Sequence, residues 1–358
     1  MGRRDDRTGQ HDDQCGGKGS ERLHGASSRD WQRDTEGAPY NRLSDHIDRV
    51  IAVRHTGNTP VAASTARTSV VCLVRWCEPR SDGTWAVSSQ ASWVPSNVDL
   101  DRASPARIYD YLLGGGWNFA ADRAVAQQAI AAMPWVRDLA RYNRQFLSRA
   151  VNFCATAGVR QFLDLGSGMP TAKSVHEIAR EVDPSCRVVY VEREPVAVAH
   201  SELILSTIEG TGIIEADMCD IDLVLGHPVT RRLFDLDEPV AVIMASSLHY
   251  VLDAEVAEAT VAGYLDEVVP DSYLVLSHIA DNEGVGSSEV RGLVELSKAT
   301  TSAGVARSRE WIGGLLADLE VAEPGLVYTS QWRPDNHLRL VTDLPVHASL
   351  LAAVARRP

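Results

Sequence analysis

The stretch RQFLDLGSGMPTAKSVHEIA, residues 160–179, predicts a buried strand, a tight turn and a helix in direct succession. The turn, Gly166 to Thr171, begins like a dinucleotide-binding loop, but threonine fills the place of the third glycine. Pro170 precedes it and removes one of the N–H donors that a pyrophosphate would need. Asp164, near the strand end, adds a negative charge that would repel a phosphate. The turn therefore favours a ligand that lacks phosphate and carries a positive charge.

S-adenosylmethionine meets both conditions, because it joins adenine and ribose to a sulfonium and an ammonium group. Acidic residues also end the next two predicted strands. Glu192 ends the strand 186–192, where a carboxylate can accept both ribose hydroxyls. Asp217 ends the strand 212–217, where it could accept the adenine amino group while the Met218 backbone donates to the ring. In the competing interpretation, the two acids are helix N-caps or solvated loop residues.

Short apolar runs alternate with helical patterns between residues 161 and 345. Because such alternation forms right-handed βαβ units, it predicts an α/β fold with a mostly parallel sheet and helices on both faces. The predicted strands are 161–166, 186–192, 212–217, 239–245, 272–278, 326–332 and 337–344. The predicted helices after the first strand are 171–182, 195–207, 254–268, 288–302 and 308–319. The last two strands lie close together, so we expect an antiparallel hairpin at the sheet edge.

Residues 91–160 form a helical segment that precedes the sheet. Within it, the glycine-rich stretch YLLGGGWNF, residues 111–119, could offer the ligand backbone N–H groups around Gly115 and the side chain of Asn118. The alternative is a helix C-cap with the aromatic residues packed inside. Arg144, on the last predicted helix of this segment, could pair with the methionine carboxylate, whereas the competing interpretation makes it a surface arginine.

Residues 1–90 differ from the rest of the chain. The first 25 residues are rich in charge and glycine and nearly free of large aliphatic residues, so they cannot bury enough surface to fold alone. We interpret residues 1–90 as a disordered tail or as sequence upstream of the true start. A functional appendage is the alternative.

Composition limits the classes of partner. The net charge is −13, and nearly all of the acidic excess lies after residue 90, so nucleic acid is not expected to bind. The six cysteines include no CxxC pair, which argues against a zinc site or a disulfide framework and favours a reducing, cytoplasmic compartment. The apolar run at residues 69–76 is too short to span a membrane. No metal site is predicted, and nothing indicates the oligomeric state.

These segments resemble class I S-adenosylmethionine-dependent methyltransferases. More narrowly, they resemble the actinobacterial S-adenosyl methyltransferase-like group, which was catalogued as a domain of unknown function. The resemblance is most specific in the G-S-G-M-P-T turn at 166–171, and it extends through 95–123, 188–201 and 246–253. It implies a Rossmann-like, seven-stranded sheet whose last strand is inserted antiparallel. The residues before the first strand would form a partial lid over the cofactor.

The resemblance also implies roles for particular residues. The methionine part of the cofactor would be surrounded by Asp164, Gly166, Ser167 and Gly168. Glu192 would bind the ribose, and Asp217 with Met218 would bind the adenine. The chain departs from the family pattern at Glu192-Arg193-Glu194, where we would expect aspartate followed by an uncharged polar residue. The residue that follows here is Arg193, which could stack against adenine.

Chemistry is expected near the end of the fourth strand, in MASSLHYVLD at 244–253. His249 is the candidate general base, because its reference pKa lies near neutrality. Ser246 and Ser247 are alternative polar groups of the pocket, and Ser246 is also a candidate cofactor contact. His249 could instead only pack the corner between strand and helix.

Together these features predict an S-adenosylmethionine-dependent methyltransferase that acts on a small-molecule acceptor. One alternative is a module that binds the cofactor without catalysing methylation. Another is a nucleotide-dependent oxidoreductase on a related sheet, against which Asp164 and Pro170 argue.

Overall fold

The computed structural model describes residues 77–79, 85–87, 98–170, 173–281, 286–334 and 349–358. The strands are β1 (Cys77–Pro79), β2 (Trp85–Val87), β3 (Gln161–Leu165), β4 (Arg187–Glu192), β5 (Thr211–Glu215), β6 (Val240–Ala245), β7 (Tyr273–Ile279), β8 (Glu320–Val321), β9 (Val327–Tyr328) and β10 (Leu350–Arg356). The helices are α1 (Pro105–Leu112), α2 (Ala120–Ala132), α3 (Val136–Thr156), α4 (Val175–Val182), α5 (Pro195–Leu205), α6 (Ile221–Gly226), α7 (Pro228–Leu233), α8 (Ala254–Glu267), α9 (Ser287–Ser297) and α10 (Arg309–Gly314). None of these helices is long and apolar enough to cross a membrane.

Strands β3 to β10 form one sheet of eight strands. Five parallel strands follow the order β5–β4–β3–β6–β7, and β10 pairs antiparallel with β7. The short strands β8 and β9 pair antiparallel with β10 on its far side. Strands β1 and β2 form a separate antiparallel pair. The expected mostly parallel α/β sheet with its antiparallel strand is confirmed.

The central strands are buried on both faces, which explains their continuous apolar sequences. In β3, Phe162 and Leu163 point to opposite sides of the sheet and enter two different clusters of buried residues. Phe162 packs in the cluster that contains Phe146 of α3, whereas Leu163 packs in the cluster that contains Tyr264 of α8. Helices therefore cover both faces, as the alternating pattern predicts.

The strand order reverses at β3. The chain passes from β3 through α4 to β4 and through α5 to β5, and then returns to β6 on the opposite side of β3. The connections that leave β3 and β6 therefore diverge and open a crevice at the carboxyl ends of the two strands.

The antiparallel strand is not the one predicted. Of the segment 326–332, only Val327–Tyr328 forms a strand, and the segment 337–344 lies outside the described residues. The inserted strand is Leu350–Arg356, so the sheet continues beyond residue 345. Its sequence, LLAAVAR, is rich in good helix formers, but burial between β7 and the pair β8 and β9 overrides that propensity.

Some helix boundaries also differ from the prediction. Helix α4 begins at Val175 rather than at residue 171, because Ser174 and Glu177 form a capping box at its N-terminus. Helix α10 ends at Gly314 rather than at residue 319. The pattern did not predict α6 and α7, which have only six residues each.

Candidate active site

A cavity of about 710 Å³ occupies the crevice at the carboxyl ends of β3, β4, β5 and β6. This volume lies within the range of sites that bind small molecules and cofactors. Its walls come from the loops after these strands and from helices α1 and α3. The predicted cofactor residues that line this cofactor cavity are Arg144, Asp164, Gly166, Ser167, Gly168, Glu192, Arg193, Asp217, Met218 and Ser246.

The turn after β3 brings two loops into close contact. Gly166 and Gly168 have φ values of +73° and +67°, a left-handed conformation that favours glycine. The backbone N–H groups of Gly166 and Ser167 donate to the Val191 carbonyl at 2.8 and 3.1 Å. A Cβ at Gly166 would lie 2.6 Å from the Cβ of Ser247, so this position excludes a larger residue. At Gly168 only the backbone conformation requires glycine.

Glu192 connects this turn to the end of β4. Its carboxylate is buried and accepts hydrogen bonds from the backbone N–H groups of Gly168 at 2.7 Å, Arg193 at 2.8 Å and Glu194 at 2.9 Å. The N-cap of the following helix is Glu194, whose side chain accepts from Ala197 N. Glu192 is therefore not a helix cap but a fixed negative charge in the wall of the cavity.

Asp217 is likewise not a helix cap, because Asp220 caps α6. It forms an ion pair with Arg193, whose guanidinium lies 2.7 Å from Asp217 Oδ2 and also donates to Ser302 Oγ at 2.9 Å. Burial acts to raise the pKa of Asp217, but the hydrogen bond from Cys219 N and the charge of Arg193 hold it below its usual value. The pair is half-exposed and stays charged.

Asp164 has the opposite electrostatic environment. Burial raises its pKa, the charge of Arg144 lowers it, and repulsion from Glu192 raises it, which together bring the pKa to about 7. The guanidinium of Arg144 also donates to the Lys173 carbonyl at 2.9 Å. The cavity wall therefore holds a carboxyl group that is partly protonated near neutral pH and that a bound positive charge would ionise.

The glycine-rich stretch takes a position different from the predicted one. Gly115 and Asn118 do not line the cofactor cavity; they surround the buried carboxylate of Asp110, which does. Asn118 Nδ2 donates to Asp110 Oδ2 at 2.8 Å, and Trp117 N donates to the same oxygen at 2.9 Å. A Cβ at Gly115 would overlap the Asp110 carboxylate. The glycine-rich stretch therefore fixes Asp110 in the cavity wall and does not itself line the cavity.

Sequence reasoning missed a buried arginine in the same wall. Arg107 of α1 is 1% exposed and pairs with two carboxylates, Asp122 at 2.8 Å and Glu194. Its guanidinium also donates to the Arg102 carbonyl and lies over the ring of Phe119. Glu194 is 87 residues away along the chain, so no local pattern could indicate the pairing.

His249 lines a second, smaller cavity of about 140 Å³ rather than the cofactor cavity. Burial, His278 and Arg307 lower its pKa well below the usual value, so the ring is neutral. Its Nδ1 is buried and has no hydrogen-bond partner among the described residues. The residues that line both cavities are Pro105, Tyr109, Asn143, Ser246 and Tyr250.

Ser246 stands at the junction of the two cavities. Its φ of +65° is uncommon for a residue other than glycine, and its N–H donates to the Ser277 carbonyl at 3.1 Å.

Both ring nitrogens of the neighbouring His278 form hydrogen bonds, one with the Ile279 carbonyl at 2.7 Å and the other with Arg307 at 3.0 Å. His278 is therefore a structural residue that orders this corner of the site.

Four buried oxygens in the wall of the cofactor cavity have no hydrogen-bond partner within the described part of the chain: Ser104 Oγ, Asp110 Oδ1, Ser167 Oγ and Ser247 Oγ. Such groups are rare in folded proteins unless a ligand or water satisfies them. Three hydroxyls beside several carboxylates fit a ligand that is both polar and cationic, as S-adenosylmethionine is. No group of three or more metal-ligating side chains occurs among the residues that the structure describes.

Comparison with known proteins agrees with this geometry. A family model described as S-adenosyl methyltransferase matches residues 91–358. The solved structure of a candidate methyltransferase from Thermobifida fusca YX is 37% identical, with a TM-score of 0.70, and the match covers 74% of this chain and 99% of that one. A DUF574 family protein from Streptomyces avermitilis MA-4680 is 34% identical, with a TM-score of 0.68, and the match covers 73% and 99% of the two chains. No curated protein matched the sequence. The nucleotide-dependent oxidoreductase considered as an alternative is therefore wrong. The chain belongs to the S-adenosyl methyltransferase family, and its cofactor is S-adenosylmethionine.

Proposed function

We propose that the protein transfers the methyl group of S-adenosylmethionine to an oxygen or nitrogen atom of a small-molecule acceptor. The observation that carries this proposal is the junction of the two cavities. A charged cavity of cofactor size meets a small cavity that contains a neutral histidine whose Nδ1 has no hydrogen-bond partner among the described residues, and Ser246 and Tyr250 belong to both cavities. A module that only binds the cofactor would not need the second cavity.

In this proposal the acids at successive strand ends hold the cofactor. Glu192 would accept a hydrogen bond from one ribose hydroxyl with the Oε2 lone pair that its three backbone donors leave available. Asp164 would face the ammonium group, and Arg144 would face the methionine carboxylate. Asp217 and the Met218 backbone would bind adenine, with the Arg193 guanidinium beside the ring.

His249 is proposed as the proton acceptor. Bound S-adenosylmethionine supplies a methyl group, whose carbon bonds to the acceptor oxygen or nitrogen as the carbon–sulfur bond breaks and its electron pair stays on sulfur. His249 Nδ1 takes the proton that the acceptor loses and later releases it to solvent. The net charge of the site stays constant, because the positive charge that leaves sulfur reappears on the imidazole. A histidine with a lowered pKa can therefore serve in this role.

Substitution of His249 by glutamine is expected to separate binding from chemistry. The dissociation constant for S-adenosylmethionine should stay within about twofold, because His249 lies outside the cofactor cavity. Methyl transfer should fall about 100-fold, which is typical of the loss of a general base. Transfer of radiolabelled methyl to an acceptor, found by screening neutral phenols and amines, measures the change. An unchanged rate would remove His249 from the mechanism.

Binding of the cofactor is expected to depend on pH through Asp164. Its pKa is about 7, and a bound ammonium favours the ionised carboxylate, so binding is expected to be accompanied by loss of the proton. Below pH 7 the dissociation constant should rise about tenfold per pH unit, and above pH 7 this contribution should disappear. Calorimetry with S-adenosylmethionine between about pH 5.5 and 8 tests this.

The matched variant for this titration is Asp164→Asn, which should bind more weakly and lose the pH dependence below pH 7. Titration of the full chain with S-adenosylmethionine and S-adenosylhomocysteine, beside Asp164→Ala, tests the cofactor site itself. Micromolar binding that the substitution abolishes would support the assignment. A folded protein that binds neither compound would overturn it.

A further inference from the structure

The smaller cavity has a predominantly apolar wall. It lies among α1, α2, α3 and α9, which contribute Leu112, Ala129, Leu139 and Leu293, respectively. Ile279, at the end of β7, forms another part of the wall. An apolar occupant would gain roughly 25 cal/mol for each Å² of apolar surface that it buries there.

The size of this cavity limits its occupant. Its volume of about 140 Å³ is close to that of an engineered apolar cavity of about 150 Å³ that binds benzene. One six-membered ring with small substituents fits such a space, whereas a second fused ring does not.

The charge of the cavity limits the occupant further. Among the described residues that line it, none is Asp, Glu, Lys or Arg, and His249 is neutral. A carboxylate or ammonium would lose its hydration there without gaining an ionic partner, at a cost of several kcal/mol. The adjoining cofactor cavity, by contrast, has Asp164, Glu192 and Arg107 in its walls.

Polar groups are concentrated where the two cavities meet, and hydrogen bonds hold them in place. Ser277 Oγ donates to Asn143 Oδ1 at 2.6 Å, Asn143 Nδ2 donates to Tyr109 Oη at 3.1 Å, and Tyr109 Oη donates to the Ala140 carbonyl at 3.0 Å. His249 Nδ1 is the buried group of this cavity that has no partner within the described residues. A ligand with one polar substituent on an apolar ring matches this arrangement, because the substituent would reach the junction while the ring stays among the aliphatic side chains.

We propose that the smaller cavity is the acceptor pocket and that it selects a neutral molecule with a single apolar ring and one hydroxyl or amino group, such as a phenol. This inference rests on the proposed methyl transfer, because it assigns the acceptor of that same site. The ring would lie among the aliphatic side chains of α1, α2, α3 and α9, and its hydroxyl or amino group would point towards His249 and the cofactor cavity.

Fluorine NMR on the full chain tests the selectivity with two matched probes, 4-fluorophenol and 4-fluorobenzoate. Both have one ring, but only the second is an anion at neutral pH. With protein saturated with S-adenosylhomocysteine, 4-fluorophenol is expected to bind at least about tenfold more tightly than 4-fluorobenzoate. Equal binding of both probes, tighter binding of the benzoate or no binding of the phenol would overturn the proposal.

Two variants locate the binding. Ala129→Phe and Leu293→Trp each add bulk to the cavity from a different helix, and each is expected to abolish binding of 4-fluorophenol while affinity for S-adenosylhomocysteine stays within about twofold. Ala124→Phe, at an exposed position of α2, is the matched control and should bind the phenol like the wild type. If one variant fails to fold, the other decides. Binding of the phenol that survives in both folded variants would place it elsewhere.

The same samples separate this proposal from the proposed function. Titration with S-adenosylhomocysteine reports on the cofactor site alone, and 4-fluorophenol added to cofactor-free protein reports on the acceptor pocket alone. Loss of cofactor binding with selective phenol binding intact would count against the cofactor site. Normal cofactor binding without selective phenol binding would count against the acceptor pocket.

Discussion

Substitution of Glu192 by glutamine is expected to weaken binding of S-adenosylmethionine by about 100-fold or more. The carboxylate accepts from three backbone N–H groups, and one of them, Gly168 N at 2.7 Å, belongs to the turn after β3. Glutamine would place an NH₂ group against one of these donors and leave it without a partner, which costs about 1–3 kcal/mol. It would also lose the charge that strengthens the hydrogen bond to the ribose hydroxyl.

Calorimetric titration of the full chain measures this change. Glu202→Gln makes the same chemical substitution at an exposed position of α5 and should leave the dissociation constant within about twofold. An affinity for Glu192→Gln that equals that of this control would show that the ribose lies elsewhere. The free energy of unfolding should fall by about 1–3 kcal/mol for Glu192→Gln, because a backbone donor loses its partner, and should stay unchanged for Glu202→Gln. Affinities are therefore compared at a temperature at which circular dichroism shows both variants to be folded.

Replacement of Arg107 by leucine is expected to cost about 3–5 kcal/mol of stability, because it leaves buried carboxylates without their countercharge. Asp122 is fully buried, and Glu194 is 9% exposed. Burial already raises the pKa of Glu194, although hydrogen bonding from Ala197 N and the charge of Arg107 oppose that rise. Without the guanidinium, Glu194 must remain charged at high cost or take up a proton.

Urea unfolding of the full chain, followed by circular dichroism, measures the loss as a lower midpoint. Arg141→Leu is the matched control, since the pair of Arg141 with Asp138 on α3 is 58% and 52% exposed and should contribute less than about 1 kcal/mol. The double variant Arg107→Leu with Asp122→Asn should recover part of the stability, because it removes one of the unpaired charges. Equal midpoints for Arg107→Leu and Arg141→Leu would contradict the buried ion-pair argument.

The sequence predicted the parts of the site that depend on local order. The turn at Gly166 and Gly168 and the acids Asp164, Glu192 and Asp217 follow their strands directly, and parallel strands bring their carboxyl ends to one edge of the sheet. Strand register therefore sufficed to place them around one cavity. Arg107 could not be found in this way, because its partners come from a different helix and from a distant strand end.

Two further features of the site depend on contacts that local order in the sequence does not reveal. The stretch around Gly115 has the composition of a ligand-binding loop. In the structure, however, the missing side chain of Gly115 makes space for the Asp110 carboxylate, and composition does not reveal this contact. His249 follows β6 as expected, yet the 3₁₀ turn Leu248–Tyr250 turns it away from the cofactor cavity. Side-chain direction in such a turn depends on tertiary packing rather than on spacing along the chain.

The position of β10 has a consequence for how the chain folds during synthesis. β8 and β9 leave the ribosome before β10, but both pair with β10 and neither pairs with β7. Until Leu350–Arg356 has emerged, β7 is therefore the outer strand of the growing sheet, with its hydrogen-bonding groups unpaired on one side. A nascent chain that stalls before β10 has emerged exposes the unpaired edge of the apolar strand β7, which could associate with other chains. Insertion of β10 pairs the open side of β7 and so protects that strand.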